Sequence, residues 1–454
     1  MSALQHTFWD EACAETLSDA RLLAAMARFE SALARASARA GVVPEAPAGI
    51  IARACEQAEF DATALARAAR RAGTLAIPFV KRLTEQVAAI SPEAARYVHF
   101  GATSQDLVDT AVVLCLLVAS DRVLLLSRRL GEAAVALVKR HARTPMAART
   151  LLQAAVPVPF GWKAAVWLSM LARSHARFRT AAREACVLQF GGAGGTLSAY
   201  GTQGDALAQA LAAELALPRP SITWHSARDL FARLGAEAAI LAGGAGKMAR
   251  DLSLMMQPEV GEAAEPAGEG RGGSSSMPHK RNPVGCLAAL EAAQRTPALA
   301  GTLLAQLSPE HERGLGQWQS QWFTLRELLC SAASALAAMA EVLEGLQVNA
   351  AAMRANLERS HGLVYSENVA LRLARTLGKP AAHALTAKLC EAALRQDKTL
   401  AEALRADPQA RAAIEEKEIA PLFDPESCFG ASGAMIERTL ADWSEALSER
   451  ETGS

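Results

Sequence analysis

The sequence predicts an all-α protein of three helical domains built around a central bundle of long helices. Three observations predict it. First, 51% of the 454 residues are hydrophobic and only 5% are aromatic. The core is therefore mostly Ala, Leu and Val, side chains small enough to let helix axes approach closely. Second, Leu325, Leu329, Ala332, Leu336, Met339, Leu343 and Leu346 recur at alternating steps of four and three. That is a heptad seam, and it needs partner helices along its whole length. Third, strand signals are few. Leu188–Phe190, ahead of Gly191-Gly192, reads at most as a short extended segment within an irregular connection.

An N-terminal helical domain is expected over residues 1–108. Thr103-Ser104-Gln105-Asp106 closes it and starts the next helix, with Thr103 and Asp106 at capping-box spacing. The central domain, 109–347, carries Ala/Leu-rich helical periodicity over 111–140, 161–185, 231–257 and 284–306, besides the heptad seam. Helices this long and apolar suit a bundle that buries further surface in an oligomer. Between the first two, Arg149–Gly161 contains Pro157 and Pro159 and reads as a kinked entry into a helix. Gly345 and Asn349 interrupt the pattern. A smaller C-terminal helical domain, rich in Ala, Arg and Glu, fills 348–454.

The formal net charge is zero and the pI about 7.1. A nonspecific nucleic-acid binder would carry a basic excess, so that class is excluded, and an anionic ligand must be attracted by local charge. The eight cysteines lie singly, with no Cys/His cluster at zinc spacing. Such thiols fit a reducing compartment. No N-terminal signal segment is visible. The apolar run Ala111–Ala119 stops at Ser120-Asp121-Arg122, well short of the ~18–20 residues of a membrane span. A soluble cytoplasmic protein, with neither membrane nor nucleic acid as partner, is the expectation.

Four segments carry chemistry. Residues 273–282 read Gly-Ser-Ser-Ser-Met-Pro-His-Lys-Arg-Asn, followed by Pro283. This Gly/Ser-rich loop brings hydroxyls, Lys280 and Arg281 to Asn282-Pro283, which reads as a helix N-cap and first helical residue. The positive end of a helix dipole there is a place to hold a carboxylate. Tyr97-Val-His-Phe-Gly-Ala-Thr-Ser-Gln-Asp106 offers His99 and the hydroxyl pair Thr103 and Ser104 at another helix start. In the Arg149 segment, Thr150 and Gln153 are the polar contact candidates. In Glu310–Trp322, Arg313 is the residue able to grip a carboxylate bidentately. His311 and Glu312 read as exposed charges there, and Trp318 and Trp322 as core. His225, in Thr-Trp-His-Ser-Ala-Arg-Asp229, stays open between core and site.

The serine loop resembles, position by position, the Gly-Ser-Ser-x-Met-Pro-x-Lys-x-Asn stretch of the fumarase/aspartase superfamily. Tyr97–Asp106 is similar to that superfamily's His-x-Gly-x-Thr-Ser-x-Asp region. With Leu188–Leu197 and Glu310–Trp318 added, the resemblance covers nearly the whole chain and points to the superfamily's cycloisomerase branch. It implies a fumarase/aspartase-like fold and a homotetramer whose active sites are shared between subunits. It implies a small tricarboxylate substrate, no cofactor and no metal. The implied reaction adds a substrate carboxylate across the substrate's own double bond, giving a lactone through an enolate-like aci-carboxylate. The resemblance makes Ser275 the proton donor, and to act as the base in reverse it needs backbone N–H groups and Lys280 close to its oxygen to lower its pKa. It implies substrate contacts by His99, Thr103, Ser104, Thr150, Gln153, Asn282 and Arg313. Leu151 stands where the superfamily's adenylosuccinate and argininosuccinate lyases have a catalytic histidine. A carboxylate leaving group is a weak base and needs no acid in the reverse direction. A cycloisomerase for a sulfonated substrate, another lyase such as adenylosuccinate lyase, and a non-catalytic structural protein on the same scaffold remain the alternatives.

Overall fold

Helix periodicity read from the sequence translates into helices almost everywhere. The computed structural model describes residues 3–273, 276–277 and 279–448. Its long helices are Ser104–Arg140, Phe160–Ala185, Asp229–Met255, Val284–Leu304 and Gln317–Glu344. Two short two-stranded sheets, β1 with β2 and β3 with β4, are the only sheets among the described residues. The fold is all-α. Along the heptad seam, Leu325, Leu329, Ala332, Leu336, Met339 and Leu343 are all buried. Small residues let the helices close up. A Cβ on Gly235 would sit 2.3 Å from the Leu303 methyl.

The chain divides into two compact units. One comprises residues 1–127, 174–243 and 291–337; the other comprises 128–173, 244–290 and 338–454. Each long helix lends residues to both. In the first unit, Asp19–Arg39 packs on Glu45–Gln57 and on Gly204–Leu215. In the second, Ser366–Leu377 and Lys379–Gln396 surround a core of Leu373, Leu385, Leu389, Leu400 and Leu404.

Two expectations are corrected. The Arg149–Gly161 stretch is not a kinked helix entry. Pro145–Thr150 (β1) pairs antiparallel with Gln153–Pro159 (β2), and the helix starts only at Phe160. Pro157 and Pro159 lack N–H groups, which a two-stranded ribbon tolerates at its outer positions. Leu188–Phe190 runs, as expected, within an irregular connection that ends at Ser198. The apolar run Ala111–Ala119 lies within the expected long helix, so the segment is longer than a membrane span needs. Arg122 turns sideways to Asp10, 2.7 Å away, and the helix continues to Arg140. Ser104–Arg140 and Gln317–Glu344 are thus long and apolar enough to cross a membrane by composition. Their apolar windows are 61% and 72% buried within the chain itself, as core helices of a bundle are.

A buried ion pair anchors the first unit. Asp109, on the second turn of the Ser104 helix, takes Arg228 Nη1 at 2.6 Å and Nη2 at 3.2 Å, and Trp318 Nε1 at 2.8 Å. Arg228 also donates to Gln321 Oε1 at 2.9 and 2.6 Å, and its guanidinium lies 4.7 Å from the Trp224 ring and 4.9 Å from the Phe231 ring. Burying two charges is tolerable because their hydrogen-bonding groups are matched. Arg228→Met strands the Asp109 charge and should lower stability by about 3–5 kcal/mol in denaturant unfolding. Adding Asp109→Leu should recover most of that loss. A single Arg228→Met variant as stable as the parent would show that the pair is not an anchor.

Candidate active site

The first two turns of the Ser104 helix bury a cluster of polar side chains. Gln105, Asp106, Asp109 and Thr110 are all fully buried. Asp106 is its hub. Oδ1 accepts from Gly191 N–H at 2.9 Å and from His225 Nε2 at 2.8 Å. Oδ2 accepts from Gly192 N–H at 2.8 Å and from Thr103 N–H at 3.0 Å. Four donors satisfy a carboxylate that has no access to water. Only half of the expected capping box is therefore present. The Asp106 carboxylate caps Thr103 N–H, while the Thr103 hydroxyl accepts from Arg313 Nη1 at 3.2 Å.

Arg313 stands in the irregular connection between the Val284 and Gln317 helices. Its Nε donates to Gln105 Oε1 at 2.9 Å, and Gln105 Nε2 donates to the His225 carbonyl at 2.9 Å. Arg313 is thus held from behind by a buried amide, with Thr103 beside it. His225, left open by the sequence, belongs to this network through both its ring and its carbonyl. The connection around Arg313 is braced by Glu310, which accepts from Leu315 N–H at 3.2 Å and from Gln317 at 3.3 Å. Its own backbone N–H, followed by those two donors, holds its carboxyl below the usual range. Trp318 and Trp322 meet edge to face at 4.9 Å.

His99 sits four residues before Thr103 in a left-handed conformation, φ 54°. Its Nδ1 lies 2.6 Å from Glu30 Oε1. Gly101, φ 73°, is required by its neighbour. A Cβ there would be 2.6 Å from the Tyr200 ring, whose hydroxyl donates to the Phe100 carbonyl at 2.6 Å. Ser104 is the first helical residue and half-buried.

The second unit holds the remaining candidates. Thr150 and Gln153 face each other across the end of the hairpin, both exposed. Between them Leu151 and Leu152 form the turn, with φ of 51° and 67° and 97% and 79% exposure. Arg149 secures β1 through a bidentate pair with buried Glu262, at 2.8 and 2.6 Å. Lys280 is exposed, and Ser275 lies outside the described residues. The expected carboxylate site at the start of the Val284 helix is already filled. Glu265 takes Gly285 N–H at 3.0 Å and Cys286 N–H at 2.8 Å. Asn282 consequently does not cap that helix with its side chain; it donates to the Gly273 carbonyl at 3.3 Å.

Sequence reasoning thus named His99, Thr103 and Arg313, which the first unit gathers around one helix start. It missed Gln105, Asp106 and Glu30 as their supports. A signal was present. Gln105, Asp106, Asp109 and Thr110 put four polar groups on adjoining positions of an otherwise apolar helix, a pattern that surface exposure does not explain.

The lyase family profile matches residues 4–297, and the adenylosuccinate lyase C-terminus profile matches residues 362–439. The chain is 50% identical over 422 residues to a 3-carboxy-cis,cis-muconate cycloisomerase of Bradyrhizobium diazoefficiens, covering 93% of this chain and 94% of that one. It is 41% identical to a nitrosuccinate lyase of Streptomyces davaonensis, covering 96% and 93%. Among solved structures it is similar to the 3-carboxy-cis,cis-muconate lactonizing enzyme from Pseudomonas putida, with a TM-score of 0.93 and 39% identity over 98% of this chain and 100% of that one.

Gly101→Ala would combine a left-handed residue with a methyl pressed on Tyr200. A loss of about 1–2 kcal/mol is expected from the backbone alone, read as a lowered midpoint in thermal unfolding. An unchanged midpoint would mean that the Tyr97–Thr103 loop does not depend on this contact.

Proposed function

We propose that this chain, which belongs to the lyase family of the fumarase/aspartase superfamily, converts 3-carboxy-cis,cis-muconate to 4-carboxymuconolactone. The observation that carries the reading is 50% identity over 93% of the chain to a cycloisomerase of that name. A carboxylate of the substrate adds across the neighbouring double bond. The carbon next to another carboxylate takes up a proton, and the intermediate aci-carboxylate gathers charge that hydrogen-bond donors must meet. The activity belongs to protocatechuate breakdown by the β-ketoadipate route.

The arrangement around Arg313 suits such a substrate. Its guanidinium is oriented by Gln105, and the Thr103 hydroxyl lies beside it. In this reading Arg313, Thr103, Ser104 and His99 bind substrate carboxylates, as do Thr150, Gln153 and Asn282. Ser275 gives the proton, and Lys280 stabilises its alkoxide. Leu151 places no acid at the hairpin tip, in keeping with a leaving group that is itself a carboxylate. The enzyme works in the cytoplasm as a homotetramer with shared sites, and its domains run 1–108, 109–347 and 348–454.

The test is loss of diene absorbance on incubation with 3-carboxy-cis,cis-muconate, with nitrosuccinate and adenylosuccinate in parallel. Turnover of either parallel substrate in place of the muconate would overturn the assignment. Ser275→Ala should lower kcat by roughly 10²–10⁴-fold with the assembly intact, the usual worth of an acid–base group. Near-normal turnover in that variant would move the proton donor elsewhere. Sedimentation at micromolar concentration should give a tetramer; a stable, active monomer would falsify the shared-site reading.

A further inference from the structure

Glu30 is an anomaly in its helix. It lies on the buried face of Asp19–Arg39, between Phe29 and Ser31, and its side chain is 1% exposed. A carboxylate there needs a countercharge or a proton. Among the described residues its carboxyl has one hydrogen-bond partner, His99 Nδ1 at 2.6 Å, and Oε2 has none. The other charged and titratable groups facing the pair do not neutralise it. Asp106 approaches from the start of the Ser104 helix and Tyr200 from the Ser198–Gln203 turn. Cys55 faces Glu30 from Glu45–Gln57, and nearby Arg35 is already engaged by Glu56 and Ser31.

His99 is placed with equal care. A non-glycine residue at φ 54° is strained, and such strain persists only where the surroundings impose it. The ring keeps 15% exposure, and Nε2 makes no hydrogen bond to any described residue. Nδ1 is engaged, so Nε2 is the edge left for a ligand.

We propose that Glu30 and His99 form a functional pair, the buried carboxylate holding the imidazole as a cation whose Nε2–H is offered to a carboxylate of the substrate. Glu30 is then a positioning residue for the reaction, and this deepens the cycloisomerase reading on which it rests. Burial on its own would push the His99 pKa down. The Glu30 charge and hydrogen bond, with Asp106 behind them, carry it above the ordinary histidine value. The sign follows. The cation is present below that raised pKa and is lost as pH rises through it.

Slow deuterium exchange at the imidazole C–H, followed by mass spectrometry on the intact assembly across pH, gives the His99 midpoint without substrate. It is expected above the ordinary histidine value in the parent, below it in Glu30→Gln, and partly restored in Glu30→Asp. For turnover of 3-carboxy-cis,cis-muconate, Glu30→Gln should lose kcat/KM by about tenfold, through KM, at pH values above the ordinary histidine value where only the parent keeps the cation, the size expected for a lost charge-assisted hydrogen bond. A parent His99 midpoint at or below the ordinary value overturns the pair, and no variant has to fold for that result. A midpoint that Glu30→Gln leaves unmoved overturns it as well. Absence of muconate turnover in the parent would instead remove the proposed reaction, while the exchange midpoints still decide the pairing.

Discussion

The Asp106 carboxylate is the constraint on which the candidate site of the first unit depends. It reaches backbone N–H groups on two separate segments, Gly191-Gly192 and Thr103, and a ring nitrogen on a third, at His225. Four donors meet the lone pairs of this buried carboxylate, and removing any one of them leaves a buried polar group short of a partner. The glycine connection, the helix start and the His225 segment are therefore held to one geometry. Arg313 inherits it, because the amide that orients Arg313 is itself tied to the His225 carbonyl.

The chain uses carboxylates of its own in this way repeatedly. Glu265 fills the N-terminus of the Val284 helix, and Glu262 takes Arg149 and the Asn356 amide. Each joins segments that are distant in sequence. In a protein with 5% aromatic residues such bonds supply positional specificity that a core of small aliphatic side chains does not. The helix N-termini that look like anion sites are accordingly occupied from within.

What was legible in the sequence follows from what is local. The long helices were readable because Ala and Leu repeat at helical spacing, and the heptad seam lies buried as its pattern requires. The hairpin was not. Two prolines suggested a kink, and a Leu151-Leu152 turn carries none of the Asn-Gly chemistry that marks a two-residue β-turn. The glycine, hydroxyl and cation motifs drew attention to Thr103, His99 and Arg313. Their supports were hidden because the partners are remote: His225 meets Asp106 across 119 residues, and Glu30 meets His99 across 69. Glu265 was invisible for a related reason, since a carboxylate borrowed from 20 residues upstream leaves no capping signature beside the helix.

The hairpin tip has a consequence for how the chain is made. A two-residue turn joins neighbours in sequence, so the ribbon can close within microseconds, far ahead of the remote bonds at Asp106 and Glu262. Two bare leucines are then on display from an early moment in the life of each molecule. Newly synthesised chains carry an adhesive point before they carry a finished core. The yield of folded protein should fall when many unfinished chains are crowded together, and dilution or a chaperone that shields apolar tips should restore it.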